Sequence, residues 1–259
     1  MQNAERDMSV LVQSKPIIRT WSTLSITPYI LYGMVNAVLA VKSGPGQPLV
    51  TPGDDQWLIV QLPYGQALSP TSHAAVPAGE YEISLRRQGL DYYPRPELQN
   101  LNWDRDGKTK RDPDFRDLVR ATYQRCAVTG TPFRLDVQAA HICPVSTNFE
   151  IWDALVQYAF GEDVQMTTQF LHGTSNGMLL RADVHIAFDA YAITVVQVPQ
   201  LEWSWSLLAM DPDLASDMKG KKFTINRPDD DGDRRRLVRS LQLHFIYATQ
   251  KYAGAWFPV

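Results

Sequence analysis

The fold is decided by the stretch SNGMLLRADVHIAFDAYAITVVQV, residues 175–198. Its pattern predicts a short strand, a helix and a second strand, at residues 178–180, about 182–190 and 192–198. On the helix, His185 and Asp189 are four residues apart and therefore share one face. An imidazole and a carboxylate side by side are donors that can hold one divalent cation together.

A second stretch, RLDVQAAHICPVS at residues 134–146, predicts a buried strand that ends on His141. Taken alone, such a histidine is more often a core side chain bonded to a backbone carbonyl. The pair Asn176-Gly177 has the chemistry of a tight turn and lies just before the next strand. Together the pieces form a β-β-α unit with the residue order His, Asn, His.

Three motifs resemble the HNH endonuclease superfamily: CAVTG, AAHICP and SNGMLLRADVHIAFD, at residues 126–130, 139–144 and 175–189. They are similar to the branch with the patterns C-x-x-T-G, A-A-H-I-x-P and N-G-x-x-L-R-x-D-x-H-x-x-F-D. The resemblance covers about residues 126–196. It implies a ββα-metal fold in which His141 is the general base, Asn176 braces the loop, and His185 and Asp189 are metal ligands.

The resemblance also implies an activity, the metal-dependent hydrolysis of phosphodiester bonds. The imidazole of His141 suits the removal of a proton from water near neutral pH, and a cation neutralises the phosphate and leaving oxygens. The expected cofactor is one divalent ion, Mg²⁺, Mn²⁺ or Zn²⁺. The expected partner is nucleic acid, with DNA favoured over RNA, and Arg181 at the start of the helix is a candidate substrate-binding residue.

One departure keeps two other functions open. Many HNH nucleases carry a third metal ligand just before the base, and here that position is Ala140, although the matched branch often has this alanine too. The fold is therefore also compatible with an enzyme that performs acid–base chemistry on a small molecule. A third alternative is a non-catalytic binding module. Dependence of activity on a metal ion would distinguish these three functions.

The rest of the chain predicts an α+β protein with three regions. We expect a β-rich N-terminal region at 1–101, the HNH-like core with a helical insertion at 102–200, and a strand and helix extension packing on the core at 201–259. The polar stretch 102–115 marks the first boundary. The apolar spacing that follows it predicts an amphipathic helix ending near Gly130.

Composition limits the classes of protein to which the chain can belong. The chain has 259 residues, a formal charge of −3 and two cysteines, which predicts an intracellular protein with no disulfide framework and no general basic field. The uncharged segment from Thr20 to Val41 is long enough to cross a bilayer. Its proline, glycine and β-branched residues instead favour two buried strands joined by a turn, so no membrane partner is expected.

Overall fold

The structure is a computed structural model that describes most of the chain. The described residues are 8–12, 15–20, 26–42, 57–63, 65–72, 74–85, 91–94, 113–133, 136–160, 162–198, 201, 203–211, 214, 218 and 220–252. The chain divides into two compact units, the first made of Met1–Asn100 with Ile246–Val259 and the second of Leu101–Phe245. Helices and several sheets are present, which confirms the predicted α+β class. The predicted boundary stretch 102–115 lies mostly outside the described residues.

The first unit is built on a five-stranded sheet of order β2-β1-β6-β4-β5, in which only β1 and β6 pair in parallel. A helix, α1, and a two-stranded sheet of β3 and β7 accompany it. The bounds are β1 Met8–Val12, β2 Lys15–Thr20, α1 Pro28–Val38, β3 Leu39–Lys42, β4 Trp57–Gln61, β5 Gln66–Ala67, β6 Gly79–Leu85 and β7 Asp91–Pro94.

The prediction of two strands between Thr20 and Val41 is wrong, because Pro28–Val38 in the middle of this segment is the helix α1. Its buried face carries Leu31, Tyr32, Met34 and Val35. In a run that is apolar on nearly every side, the spacing of apolar residues does not distinguish a buried helix from a buried strand. Tertiary packing determines which of the two forms here. Every helix in the described part of the chain is too short or too polar to cross a membrane.

The second unit contains the ββα arrangement. Its bounds are α2 Pro113–Thr122, β8 Val137–His141, α3 Phe149–Phe160, α4 Thr168–His172, β9 Gly177–Arg181, α5 Ala182–Asp189, β10 Ile193–Gln197, β11 Ser204–Ala209, β12 Lys222–Thr224 and α6 Asp231–Tyr252, of which the part up to Phe245 belongs to this unit. The strands and helix expected within residues 175–198 are confirmed. The strand ending on His141 is also present, and the helical insertion between it and β9 consists of two helices, α3 and α4.

The strands β8 and β9 form an antiparallel ribbon that organises this unit. His141 pairs with Gly177 at one end of the ribbon, and Val137 pairs with Arg181 at the other. The helices α2 and α5 both pack on this ribbon. Residues 177–180 of β9 are all buried, as expected for a strand covered on both faces.

Helix α2 ends at Thr122 rather than near Gly130, so that boundary prediction is wrong. The following residues form a tight turn in which the Cys126 N–H donates to the carbonyl of Thr131 at 2.8 Å. Gly130 adopts a left-handed φ of 71°, which glycine tolerates without a steric cost. The Ala127 N–H then donates to the carbonyl of Leu179, which ties the CAVTG turn to β9.

A buried histidine of α6 anchors the end of helix α5. The Nε2 atom of His244 donates to the carbonyl of Phe188 at 3.0 Å, and its Nδ1 accepts from the hydroxyl of Thr194 at 2.9 Å. The imidazole also stacks on the Phe188 ring, with the centroids 3.8 Å apart. These contacts fix the turn of α5 that carries Asp189.

Candidate functional site

The site begins at the end of strand β8, where His141 is half-buried. Its imidazole lies face to face with the ring of Phe115 on helix α2, with centroids 3.6 Å apart and planes 10° apart. The Nε2 atom is enclosed by the protein. The orientation of the ring is therefore set by packing as well as by its own backbone.

Asn176 holds the chain just after this histidine. Its side-chain oxygen accepts from the Cys143 N–H at 2.7 Å, and its amide nitrogen donates to the carbonyls of Cys143 and Leu171, both at 2.9 Å. Its own carbonyl accepts from the Ile142 N–H at 2.9 Å. The side chain is fully buried. This buried amide ties the exit of β8 to the chain entering β9.

The Asn176-Gly177 pair is not a two-residue hairpin turn. Asn176 ends a short 3-10 turn, and Gly177 has φ −121° and ψ 149°, which is ordinary extended backbone. The connection between the paired strands is the whole segment 142–176, which contains two helices. The reason for a glycine at 177 is steric and not conformational.

His185 and Asp189 lie together on helix α5, as their spacing predicts. Nε2 of His185 is 3.4 Å from Oδ2 of Asp189. The other ring nitrogen, Nδ1, is 3.0 Å from Oε1 of Gln138 on strand β8. Because an amide oxygen only accepts hydrogen bonds, this contact places the proton of the neutral ring on Nδ1. In the neutral ring this leaves the lone pair on Nε2, the nitrogen that lies beside the Asp189 carboxylate.

The donor chemistry of this pair suits a divalent ion, although the pair is not a complete shell. Neutral imidazole nitrogen and carboxylate oxygen are both ligands of Zn²⁺ and Mn²⁺, and carboxylate is a ligand of Mg²⁺. Among the described residues, no cluster of three or more His, Cys, Asp or Glu side chains could hold a metal. Ala140, in the position of a third ligand, is buried and offers no donor.

Arg181 occupies the junction between β9 and α5, and its guanidinium is engaged by a neighbour. Its Nε and Nη2 atoms each donate to one oxygen of Asp183 at 2.7 Å. Hydrogen bonding from this guanidinium lowers the pKa of Asp183. A phosphate would therefore have to share or replace the carboxylate to bind Arg181.

Two residues at the site were not identified from the sequence. Gln138 had a signal, because it is two residues from Ala140 and side chains alternate along a strand, so both face the same side. Phe115 had none beyond its place on an apolar helix face. Its contact with His141 joins residues far apart in sequence, which periodicity does not report.

Comparison with known families covers this same part of the chain. Residues 126–196 match the family model HNH_2, described as HNH endonuclease, and the match includes His141, Asn176, His185 and Asp189. No curated protein and no solved structure gave a match. The resemblance noted in the sequence is therefore confirmed for this segment.

Proposed function

Because residues 126–196 form an HNH-type domain, we propose that the protein is a metal-dependent nuclease that hydrolyses phosphodiester bonds of nucleic acid, with DNA favoured over RNA. One observation carries the proposal. The strand that ends on His141 also contacts, through Gln138, the helix that bears His185 and Asp189. A candidate base and a candidate ligand pair are thus held by one ribbon and one helix of the matched segment.

In this proposal His141 is the general base that removes a proton from the attacking water. Because its Nε2 atom is enclosed by the protein, we assign contact with the water to the other ring nitrogen, Nδ1. Asn176 holds the backbone immediately after the base, so the imidazole is presented from a fixed strand end. Fixed geometry of this kind lowers the entropic part of the barrier.

His185 and Asp189 would hold the divalent ion, Mg²⁺, Mn²⁺ or Zn²⁺. When bound, such an ion neutralises charge on the phosphate and leaving oxygens. When Nδ1 donates to Gln138, the neutral ring of His185 carries its lone pair on Nε2, beside the Asp189 carboxylate, and this is the tautomer that a metal ligand at this position needs. With two protein ligands, water and substrate oxygens complete the shell, so we expect weak metal affinity in the absence of substrate.

Arg181 is the proposed contact for a substrate phosphate near the helix. Its two hydrogen bonds to Asp183 show that the guanidinium presents a planar fork in this region. The same fork can receive two phosphate oxygens. The chain carries a formal charge of −3, so we expect nucleic acid to be bound by such local contacts and not by a general basic field.

The test is cleavage of plasmid DNA, single-stranded DNA and RNA by the full chain with Mg²⁺, Mn²⁺ or Zn²⁺. Variants His141→Ala and Asp189→Ala should lose cleavage by about 100-fold or more, since each removes a group the proposal requires. His172→Ala is the matched control, because this histidine lies on α4 outside the motifs. EDTA should abolish the activity of the wild type.

Other outcomes point to the alternative functions. Cleavage that survives both EDTA and Asp189→Ala would contradict the metal site. If wild type and variants are equally inert while circular dichroism shows them folded, the nuclease proposal fails. The domain would then be a binding module or an enzyme acting on a small molecule.

A further inference from the structure

Gly177 leaves a slot in strand β9 directly opposite His141. A Cβ atom at this position would lie 2.4 Å from Cγ2 of Val119 and 3.0 Å from Cζ of Phe115. Its extended backbone suits any residue, so the missing side chain serves close approach. Helix α2 approaches Gly177 through two side chains, Val119 and Phe115, that are themselves buried.

Phe115 extends from this slot to the candidate base. The same ring that lies against Gly177 is stacked on the imidazole of His141, with centroids 3.6 Å apart and planes nearly parallel. Aromatic pairs in proteins more often have centroids about 4.5–7 Å apart, so these two rings overlap closely. The imidazole cannot tilt toward helix α2 without displacing a side chain that lies in the slot.

We infer that Phe115 is a positioning residue for His141. Asn176 fixes the backbone after the base but does not fix the plane of its ring. The stacked phenyl ring supplies that second restraint, because it holds the plane in which the accepting nitrogen lies. The role rests on the proposed nuclease function.

A consequence is that the working catalytic unit begins before the segment recognised by family comparison. Helix α2, at Pro113–Thr122, lies outside residues 126–196. It nevertheless supplies the surface against which the base is oriented. A fragment that starts at residue 126 would contain every residue named by the motifs and lack this surface.

The test compares two substitutions in the full chain, Phe115→Leu and the matched control Phe223→Leu. Both remove a buried phenyl ring from the second unit, and Phe223 lies on β12, in a different sheet from the β8–β9 ribbon that carries His141. We expect both to lower the melting temperature to a similar extent. Only Phe115→Leu should lower kcat, by about 10- to 100-fold with KM changed less than twofold, because a misdirected base costs turnover and not binding.

A second readout does not depend on cleavage. The stacking predicts that in the wild type the carbon-bound ring protons of His141 are shifted upfield in the NMR spectrum, and His141→Ala would identify the signals. Phe115→Leu should move them downfield, whereas Phe223→Leu should leave them in place. Unmoved signals would overturn the stacking, and moved signals with unchanged kcat would overturn the positioning role. An inert wild type would instead refute the nuclease function and the catalytic role with it, while the NMR shift still decides the stacking.

Discussion

Replacing Gly177 by alanine tests the packing that surrounds the candidate base. The new methyl group would lie 2.4 Å from Cγ2 of Val119, more than an ångström inside the carbon–carbon contact distance of about 3.5–4.0 Å. Overpacking of this kind costs about 1–3 kcal/mol. Replacing glycine by alanine also reduces the conformational entropy of the unfolded chain, and this stabilises the folded protein by about 0.4–1 kcal/mol. We therefore expect Gly177→Ala to lower the free energy of unfolding by about 1–2 kcal/mol.

The assay is urea unfolding followed by the amide NMR signals of β8 and β9, because the chain has two units that can unfold separately. The double variant Gly177→Ala with Val119→Ala removes the closest clash, so it should be more stable than the summed single effects imply, by about 1 kcal/mol. Gly130→Ala is the control, since its Cβ would have no atom within 4 Å. It should show no such coupling to Val119→Ala. The conclusion that Gly177 leaves space for helix α2 would be refuted if Gly177→Ala were as stable as the wild type. It would also be refuted if the effects of Gly177→Ala and Val119→Ala on stability were strictly additive.

Three further predictions concern other side chains of the second unit. Asn176→Ala removes three buried hydrogen bonds and should cost at least about 3 kcal/mol in urea unfolding; a loss below about 1 kcal/mol would contradict its bracing role. Hydrogen bonding from Arg239 lowers the pKa of Glu162 below its usual 4.5, so this pair should stabilise the protein above that pH and lose its effect as pH falls through the lowered value. Glu162→Gln should therefore differ from wild type at pH 7 and converge with it in acid, and a gap that stays constant with pH would refute the linkage. Burial raises the pKa of Tyr123 to about 12, so its phenol should ionise well above pH 10 in an absorbance titration, and stability should fall as pH rises above 10. Ionisation of Tyr123 near pH 10 would be inconsistent with its burial.

The elements of the site could be predicted from sequence where the pattern is local. Strand β8, strand β9 and helix α5 each follow from the spacing of apolar residues within a few positions. The face shared by His185 and Asp189 follows from helix geometry alone. These are also the parts that the family motifs cover.

The parts that could not be predicted depend on contacts between distant residues. Helix α2 ends at Thr122 because the next residues pair within the CAVTG turn, and that turn docks on β9. Gly177 has the appearance of a turn residue in sequence, and only the packing of α2 shows that it provides space. Helix α1 has an apolar run that fits two kinds of element. In each case tertiary packing overrides the local pattern.

The long connection between the two strands of the ribbon also affects how the protein folds. Pairing of His141 with Gly177 closes the segment 142–176, and closing a loop of that length costs on the order of 3 kcal/mol in chain entropy. The helices α3 and α4 inside the loop need only local contacts, so we expect them to form earlier than the ribbon. The candidate base His141, its brace Asn176 and its stacking partner Phe115 should therefore come together in one late step. The proposed nuclease activity should appear only after that long-range closure is complete.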